Sequence, residues 1–289
     1  MLPKTLRLHL EYDAGYHIRK ATPVAGGDVN RAYRVECDNG QFLLLKYNHS
    51  PEASDMFRTE ALGLALLGAS RVIRVPRIIY RGIDRENRAY LLLEYVEKGH
   101  RTPLFWQQFG QSLANLHGNT SDRFGFAHDN YIGRLPQSNI RHYHWSHFYA
   151  QERLMPQMEM AMQRNRLTSA DARLLDLLCK RLDSVCPEES PALVHGDLWN
   201  GNVLCDPYGQ TVLIDPSASF SHREMDLAMA QLFGGFHARF FDSYHNTWPL
   251  EPGFSERVSV YQLYYILVHV NQFGGSYIQD ARKILQKYS

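Results

Sequence analysis

The first hundred residues alternate between short apolar runs and clusters of turn-forming residues. Asp38-Asn39-Gly40 has the composition of a hairpin turn, and apolar runs on both sides of it favour strands. One segment with helical periodicity follows, and Ser50-Pro51-Glu52 is its predicted helix start. We predict a five-stranded sheet with one helix in residues 1–96, and the clearest strands of that sheet are 33–35, 42–45, 77–80 and 89–93.

The remaining sequence, residues 97–289, has a mainly helical repeat. Thr102-Pro103 is a typical helix start, and the apolar stripe that follows it is typical of a core-facing helix rather than a cofactor site: Trp106, Phe109, Leu113 and Leu116. A second helix is predicted from Thr168 or Ser169, and the apolar run 261–270 predicts a buried helix near the end. The pattern indicates an α+β protein with a β-rich N-terminal lobe (1–96) and a mainly helical C-terminal lobe (97–289).

A short hairpin interrupts the helical part. Val203-Leu204 and residues 212–214 favour two strands, and Asp206-Pro207-Tyr208-Gly209 between them has turn chemistry. Because a hairpin brings its two ends together, we expect Asn202 and Asp215 to lie side by side, with Asp197 on the loop just before them.

The overall composition excludes several classes of protein. Lys and Arg (31) nearly balance Asp and Glu (30), so the net charge of +1 gives no reason to expect binding to nucleic acid or to an acidic membrane. The longest apolar stretch, near 261–270, is too short to span a bilayer, and the N-terminus lacks an apolar segment of signal-peptide length. The four cysteines have no zinc-like spacing. We therefore expect a cytoplasmic protein with reduced thiols, either a monomer or a weak dimer.

The residues around the hairpin suit phosphoryl transfer. That reaction needs a carboxylate to accept the proton of the attacking hydroxyl and oxygen ligands that hold Mg²⁺ against nucleotide phosphates. Asn202 follows Asp197 by five positions (202 − 197), which is the Asp-x-x-x-x-Asn spacing of the protein-kinase catalytic loop. Asp215 stands where the kinase metal-binding Asp would stand. The alternative is a surface loop of Asp, Asn and Gly, but the leading His195-Gly196 and the hairpin favour the phosphoryl-transfer interpretation.

The N-terminal lobe offers a second group of candidate phosphate-binding residues. Gly26-Gly27 lies at the start of the run of predicted strands and could place backbone N–H groups over phosphates, although an ordinary turn has the same composition. Lys46 ends the next strand, and Glu60 lies fourteen positions further on (60 − 46), on the predicted helix. A Lys–Glu pair of this kind directs the ammonium group toward the α- and β-phosphates. Taken singly, either residue is more often solvated.

Three segments of the chain resemble the fructosamine-3-kinase (ketosamine 3-kinase) family, a branch of the aminoglycoside phosphotransferase-like kinases. The segments are His195-Gly-Asp-Leu-Trp-x-Gly-Asn202, Asp215-Pro216 and Arg223-Glu224-x-Asp226-Leu227-Ala228-Met229. The resemblance extends from Gly26-Gly27 to Gly274-Gly275. It implies a bilobal protein-kinase-like fold, the cofactors ATP and Mg²⁺, and phosphorylation of the 3-hydroxyl of a ketosamine, free or protein-linked, as a repair of glycated amines.

The resemblance also implies a role for each site residue. Asp197 deprotonates the acceptor hydroxyl, and Asn202 and Asp215 bind Mg²⁺. The nucleotide contacts are implied for Gly26, Gly27, Lys46, Glu60 and the hinge Glu94-Tyr95-Val96, whose main chain would contact the adenine edge. Trp199 has two interpretations, stacking on the acceptor or packing within the lobe, and the resemblance favours the acceptor. We interpret Asp226 as structural, accepting backbone hydrogens of the catalytic loop.

Other interpretations remain open at this stage. The segment Ser217-Ala218-Ser219-Phe220-Ser221 departs from the family pattern, so the acceptor could be a different alcohol such as an aminoglycoside, choline or homoserine. The first two favour pockets rich in acids, and few acids cluster outside the catalytic set. A non-catalytic nucleotide-binding protein is a further alternative. A metal site at His142, His144 and His147 is disfavoured because no partner carboxylate is evident in the sequence.

Overall fold

The computed structural model describes residues 2–24 and 30–288, which divide into two compact units. The first unit comprises Met1–Arg101 and Val203–Pro216, and the second comprises Thr102–Asn202 and Ser217–Ser289. The predicted α+β class is confirmed, with an antiparallel sheet in the N-terminal region and helices in the C-terminal part. Within the described ranges, no helix combines the length and the apolar character needed to cross a membrane.

The first unit is built on a five-stranded antiparallel sheet with the strand order β1-β2-β3-β5-β4. The predicted strands are present, and a helix and a strand in residues 4–23 complete the arrangement. The elements are α1 (Lys4–Tyr12), β1 (Ile18–Pro23), β2 (Arg31–Cys37), β3 (Phe42–Asn48), α2 (Ala53–Ala69), β4 (Ile78–Ile83), β5 (Ala89–Glu94), β9 (Val203–Cys205) and β10 (Thr211–Leu213). The sequence pattern alone predicts a single helix in this region, so α1 is an addition.

Strand β3 separates two apolar clusters because its side chains alternate between the two faces of the sheet. Leu43 and Leu45 pack in the cluster that includes Leu6 and Leu10 of α1. Leu44 contacts the opposite cluster, which α2 covers. Lys46 shares the face of Leu44, two positions away, and therefore points toward α2. The strand period thus directs a lysine into the interface between the sheet and a helix.

The second unit is mainly helical and contains two short strand pairs. Its longest helix, α10, is buried along most of its length, as the apolar run predicts. Thr102 caps α3 by accepting from the N–H of Phe105, and Thr168 forms a capping box at α6. The elements are α3 (Pro103–His117), β6 (Asn130–Ile132), β7 (Leu135–Gln137), α4 (Trp145–Phe148), a π-helical turn (Tyr149–Leu154), α5 (Met155–Gln163), α6 (Ser169–Cys179), α7 (Leu182–Val185), β8 (Ala192–Val194), a 3₁₀ turn (Asn200–Asn202), β11 (Ser219–Ser221), α8 (Glu224–Leu232), α9 (Ala238–Thr247), α10 (Phe254–Phe273) and α11 (Tyr277–Tyr288).

The unit boundaries differ from the division at residue 96 that the sequence pattern predicts. The first unit continues to Arg101, and it also contains the β9–β10 hairpin, which the pattern assigns to the helical lobe. Three contacts attach this hairpin to the first unit. Gly99 N–H donates to the carbonyl of Cys205, Leu213 N–H donates to the carbonyl of Arg74, and Arg74 Nη1 lies 2.6 Å from Asp206 Oδ2. Such long-range contacts are invisible in a local pattern.

Candidate active site

A buried lysine is the centre of the polar site in the first unit. Lys46 is 6% exposed, and its Nζ lies 2.8 Å from Glu60 Oε1 and 2.8 Å from Asp215 Oδ1. Burial alone would lower the pKa of Lys46, but the carboxylates of Asp215 and Glu60 outweigh it and raise that pKa above its ordinary value. The lysine therefore carries its positive charge at neutral pH. The ion pair between Lys46 and Glu60 that the sequence predicts is present.

Asp215 reaches Lys46 from the end of the β9–β10 hairpin. Val203 pairs with Leu213 at this end of the hairpin, and Asp215 lies two positions beyond Leu213. Its φ of +54° is in the left-handed region, which non-glycine residues seldom adopt and which Asp tolerates better than most. This conformation ends the strand and leaves the carboxylate 40% exposed beside the buried lysine. Backbone strain of this kind is often found at functional sites.

The predicted hinge, Glu94 to Val96, begins at the last residue of β5, the strand between β3 and β4 in the sheet. The N–H of Glu94 donates to the carbonyl of Arg77, and its carboxylate pairs with Arg74 and Arg77. The N–H of Tyr95 donates to the carbonyl of Phe42. Val96 is buried, and its N–H has no protein partner among residues 2–24 and 30–288. The segment therefore offers a main-chain donor next to an anchored strand.

The loop that carries Asp197 lies in the second unit, after β8. The N–H of Trp199 donates to the carbonyl of Asp197, and the 3₁₀ turn Asn200–Asn202 follows. Asn202 is 5% exposed, and its Nδ2 donates to the carbonyl oxygen of Asp197 at 2.9 Å and to Oδ2 of Asp197 at 3.1 Å. The turn thus brings together the carboxylate and the amide that the five-residue spacing predicts. Their mutual hydrogen bond fixes the orientation of both side chains.

Asp226 braces this loop from α8. Its Oδ2 accepts the N–H of His195 at 2.7 Å, and its Oδ1 accepts the N–H of Gly196 at 2.8 Å. The predicted structural role of Asp226 is therefore confirmed. His195 is fully buried, and its Nδ1 accepts the N–H of Asp197 at 3.2 Å. Nε2 of His117 on α3 lies 3.2 Å from Asp226 Oδ2, a contact that the sequence analysis misses because 109 positions separate the two residues.

Gly196 is required by the path of the loop. Its φ is +83°, and a Cβ added there would lie 2.2 Å from the carbonyl oxygen of Ser217. That backbone is itself held in place, because the N–H of Ser217 donates to the carbonyl of His195. Tyr265 of α10 donates to the carbonyl of Gly196 from the other side. No side chain fits between these groups.

Gly196→Ala is expected to be strongly destabilising, and Gly209→Ala is its matched control. Both glycines have φ near +82°, but a Cβ at Gly209 would meet nothing within 4 Å. Gly209→Ala should cost about 1–2 kcal/mol of unfolding free energy, the cost of the left-handed conformation alone. Gly196→Ala adds an overlap with fixed backbone and should cost more than about 3 kcal/mol. Urea unfolding of both variants measures the difference, and equal costs would contradict this account of the loop.

The side chain of Trp199 borders the same loop and is 43% exposed. Its ring covers Gly201, where an added Cβ would lie 2.2 Å from Trp199 Cη2. The indole is thus supported by the loop on one side while a large part of its surface remains accessible. Both interpretations of this residue therefore have a structural basis, packing on the loop and a face for a ligand.

Several sequence-predicted features need a different account. Gly26 and Gly27 lie outside the described residues. His142 does have a carboxylate partner, contrary to the sequence analysis, because Glu152 lies ten positions away and its Oε1 is 2.8 Å from His142 Nε2. The rings of His144 and His147 instead contact each other, with centroids 5.7 Å apart. In the described part of the chain, no group of three or more His, Cys, Asp or Glu residues could hold a metal ion.

Comparison with known proteins matches nearly the whole chain to a single protein family. The family model described as fructosamine kinase matches residues 4–289. The probable ketoamine kinase of Enterococcus faecium is 40% identical over 271 residues, which cover 93% of this chain and 95% of that protein. The chloroplastic protein-ribulosamine 3-kinase of Arabidopsis thaliana is 33% identical over 280 residues, covering 94% of this chain and 83% of that protein.

Solved structures give the same result. The crystal structure of a Thermobifida fusca protein described as a fructosamine-3-kinase superposes on this chain with a TM-score of 0.85. It is 35% identical, and the match covers 98% of this chain and 99% of that chain. A thermostable mutant of the aminoglycoside phosphotransferase APH(4)-Ia, crystallised with ADP and hygromycin B, has a TM-score of 0.66 at 17% identity, with 98% of each chain covered. This more distant likeness shows a shared fold.

Proposed function

Because the chain belongs to the fructosamine kinase family, we propose that it is an ATP-dependent kinase that phosphorylates the 3-hydroxyl of ketosamines. The observation that carries the proposal is the buried Lys46 held between Glu60 and Asp215, in a chain whose residues 4–289 match this family. A fixed, charged ammonium group suits the phosphates of a nucleotide, and a buried ion pair adds little net stability compared with apolar packing.

The nucleotide contacts are assigned to the first unit. Lys46 would bind the α- and β-phosphates, with Glu60 holding its ammonium group in place. The backbone of Gly26 and Gly27 would cover the phosphates. The hinge Glu94-Tyr95-Val96 would bind adenine through its main chain, and the N–H of Val96 is the donor without a protein partner in the described ranges.

Asn202 and Asp215 would bind Mg²⁺. An amide oxygen and a carboxylate are ligands that Mg²⁺ prefers, and this ion is usually held by one or two carboxylates together with substrate phosphates. A site with only two protein ligands, Asn202 and Asp215, is therefore consistent with Mg²⁺ binding. Asn202 directs its Nδ2 to Asp197, so its Oδ1 is the amide atom suited to a cation. When bound, Mg²⁺ neutralises charge on the phosphates.

Asp197 would act as the base. Its carboxylate accepts the proton of the acceptor hydroxyl while that oxygen bonds to the γ-phosphorus, and the bond from the γ-phosphorus to the bridging oxygen breaks to release ADP. The brace from Asp226 and the hydrogen bond from Asn202 hold the carboxylate in place before the reaction. Most of the rate acceleration would then come from positioning and charge neutralisation.

Trp199 would stack on the acceptor, and Trp199→Leu tests this assignment. Loss of an aromatic contact of about 0.5–1.5 kcal/mol should raise KM for the ketosamine roughly fivefold. The value of kcat and KM for ATP should stay close to those of the native protein, because the nucleotide contacts are elsewhere. Steady-state kinetics with the acceptor varied measures the change. An unchanged acceptor KM would assign Trp199 to packing on the loop alone.

The biological role proposed here is repair of glycated amines. In this scheme the 3-phosphate is unstable and sheds the sugar, which regenerates the free amine of a small molecule or a protein. We propose a cytoplasmic enzyme that acts as a monomer or weak dimer and needs neither nucleic acid nor a membrane. The Arabidopsis thaliana relative is named as chloroplastic.

A coupled assay of ADP release tests the proposed function. The acceptors are a ribulosamine, an erythrulosamine and a fructosamine. An aminoglycoside, choline and homoserine are tested separately as alternative acceptors. We expect Mg²⁺-dependent ADP release with at least one ketosamine and none with the other alcohols. Release with another alcohol alone would assign a different kinase activity. No release with any acceptor would favour a non-catalytic nucleotide-binding protein.

A further inference from the structure

A buried chain of three side chains in the second unit ends at the loop that carries Asp197. The hydroxyl of Tyr244 on α9 lies 2.7 Å from Nδ1 of His117 on α3. Nε2 of the same ring lies 3.2 Å from Oδ2 of Asp226, which accepts the N–H groups of His195 and Gly196. Tyr244, His117 and Asp226 are each at most 1% exposed. Bulk water therefore does not reach any of the three side chains.

The chemistry of the partners fixes the proton positions along this chain. The oxygens of Asp226 already act as acceptors for two backbone N–H groups, so Nε2 of His117 faces an acceptor and donates to it. In a neutral imidazole the other nitrogen is then an acceptor, and the hydroxyl of Tyr244 is its donor. Burial raises the pKa of Tyr244 well above its ordinary value, although Arg223 opposes this effect, so the hydroxyl keeps its proton.

The packing of α3 against α9 sets the distance between Tyr244 and His117. A Cβ added at Gly110 would lie 2.2 Å from the carbonyl oxygen of Phe240, so the two helices approach closely at this point. His117 follows Gly110 by seven positions, two turns along the same face, and Tyr244 follows Phe240 by four, one turn. The close approach of the backbones therefore holds the hydroxyl against the ring.

A fixed cation limits the movement of Tyr244 on its other side. The guanidinium carbon of Arg223 lies 5.9 Å from the centroid of the Tyr244 ring. Arg223 is itself held by two hydrogen bonds of 2.8 Å to the carboxylate of Glu189. Tyr244 therefore packs beside a fixed guanidinium group while its hydroxyl contacts His117.

We propose that Tyr244 is a positioning residue for phosphoryl transfer. Its hydroxyl holds His117 as the Nε2–H tautomer, and His117 in turn fixes the carboxylate of Asp226 against the backbone of the catalytic loop. This inference rests on the proposed function, since that loop carries Asp197. Without the hydroxyl, the ring can exchange tautomers or turn. Asp226 then loses one of its three donors, and the position of the loop is less strictly defined.

The variant Tyr244→Phe tests this role, with Tyr149→Phe as the matched control. We expect kcat to fall about tenfold in Tyr244→Phe, the effect of one lost hydrogen bond transmitted to the transition state, with KM for ATP unchanged. Tyr149 is equally buried, but its hydroxyl donates to the carbonyl of Val260 at 2.6 Å, away from Asp226. Its loss should leave kcat within about twofold. A native kcat in Tyr244→Phe with only a lower Tm would overturn the proposal.

A double-mutant cycle separates this role from a general structural one. If Tyr244 acts through His117, Tyr244→Phe should have no further effect on kcat in a His117→Gln background. If the two changes instead multiply, the residues act independently and the proposal is wrong. Native protein that releases no ADP with any ketosamine would contradict the proposed function itself, which is a different outcome from an active protein that is insensitive to Tyr244→Phe.

A spectroscopic measurement on the native protein does not depend on the folding of any variant. ¹⁵N NMR of histidine-labelled protein reports which ring nitrogen of His117 carries the proton, once its signals are assigned among the 14 histidines. The proposal predicts a protonated Nε2 and an unprotonated Nδ1. The opposite tautomer, or a ring protonated at both nitrogens, would overturn it.

Discussion

Asp197→Asn is expected to abolish ketosamine-dependent ADP release while ATP binding stays nearly intact. The amide cannot accept the proton of the acceptor hydroxyl, so the variant should lose about 10²–10⁴-fold in kcat. The fold should be retained, because the brace from Asp226 contacts the backbone of His195 and Gly196 rather than the Asp197 side chain. The coupled assay gives kcat, and calorimetric titration with an ATP analogue gives the dissociation constant.

Asp183→Asn is the matched control for this variant. It makes the same chemical change on an exposed aspartate in α7 of the same unit and should leave kcat unchanged. A native kcat in Asp197→Asn would refute the assignment of the base. A loss of ATP affinity equal to the loss of kcat would instead indicate that Asp197 supports nucleotide binding.

Lys46→Met is expected to reduce kcat/KM for ATP by about 10²–10³-fold, the effect of removing one charged donor from a preorganised site. It should also destabilise the first unit, because Glu60 would lose its cationic partner in a largely buried position and unpaired buried charges are costly. The double variant Lys46→Met/Glu60→Gln should recover much of the stability and none of the activity. If the ion pair were purely structural, the double variant should recover activity together with stability.

Lys20→Met controls for the loss of a lysine charge. Lys20 is exposed on β1, so its replacement should change neither Tm nor kcat/KM for ATP. Native ATP kinetics in Lys46→Met would contradict the assigned phosphate contact. Activity recovered in the double variant would show that Lys46 acts only by compensating Glu60.

The elements that follow local rules could be predicted from the sequence. The alternation in β3 places Lys46 on the face of Leu44, toward α2, where Glu60 lies. The five-residue spacing of Asp197 and Asn202 ends in a 3₁₀ turn, Asn200–Asn202, and the side chains of Asp197 and Asn202 are in contact. Asp226 follows from a general rule, since a buried acid near a loop needs donors and the loop backbone supplies them.

The features that the local sequence pattern did not predict depend on long-range packing. The β9–β10 hairpin belongs to the first unit because Arg74 pairs with Asp206, 132 positions away. His117 is the last residue of α3, next to an apolar stripe typical of ordinary core. Only the fold shows that its ring contacts both Tyr244 and Asp226. The partner of His142 is supplied by the π-helical turn that carries Glu152, and periodicity does not indicate such a turn.

The position of the phosphate in the product tests the central claim most directly. A ribulosamine of lysine is incubated with the native protein, Mg²⁺ and ATP, and the product is examined at once by proton-coupled ³¹P NMR. The proposed function predicts a phosphate ester formed in step with ADP, with its phosphorus coupled to the proton on C3 of the sugar. A phosphate ester on another carbon, or ADP and inorganic phosphate released equally fast without the ribulosamine, would contradict it.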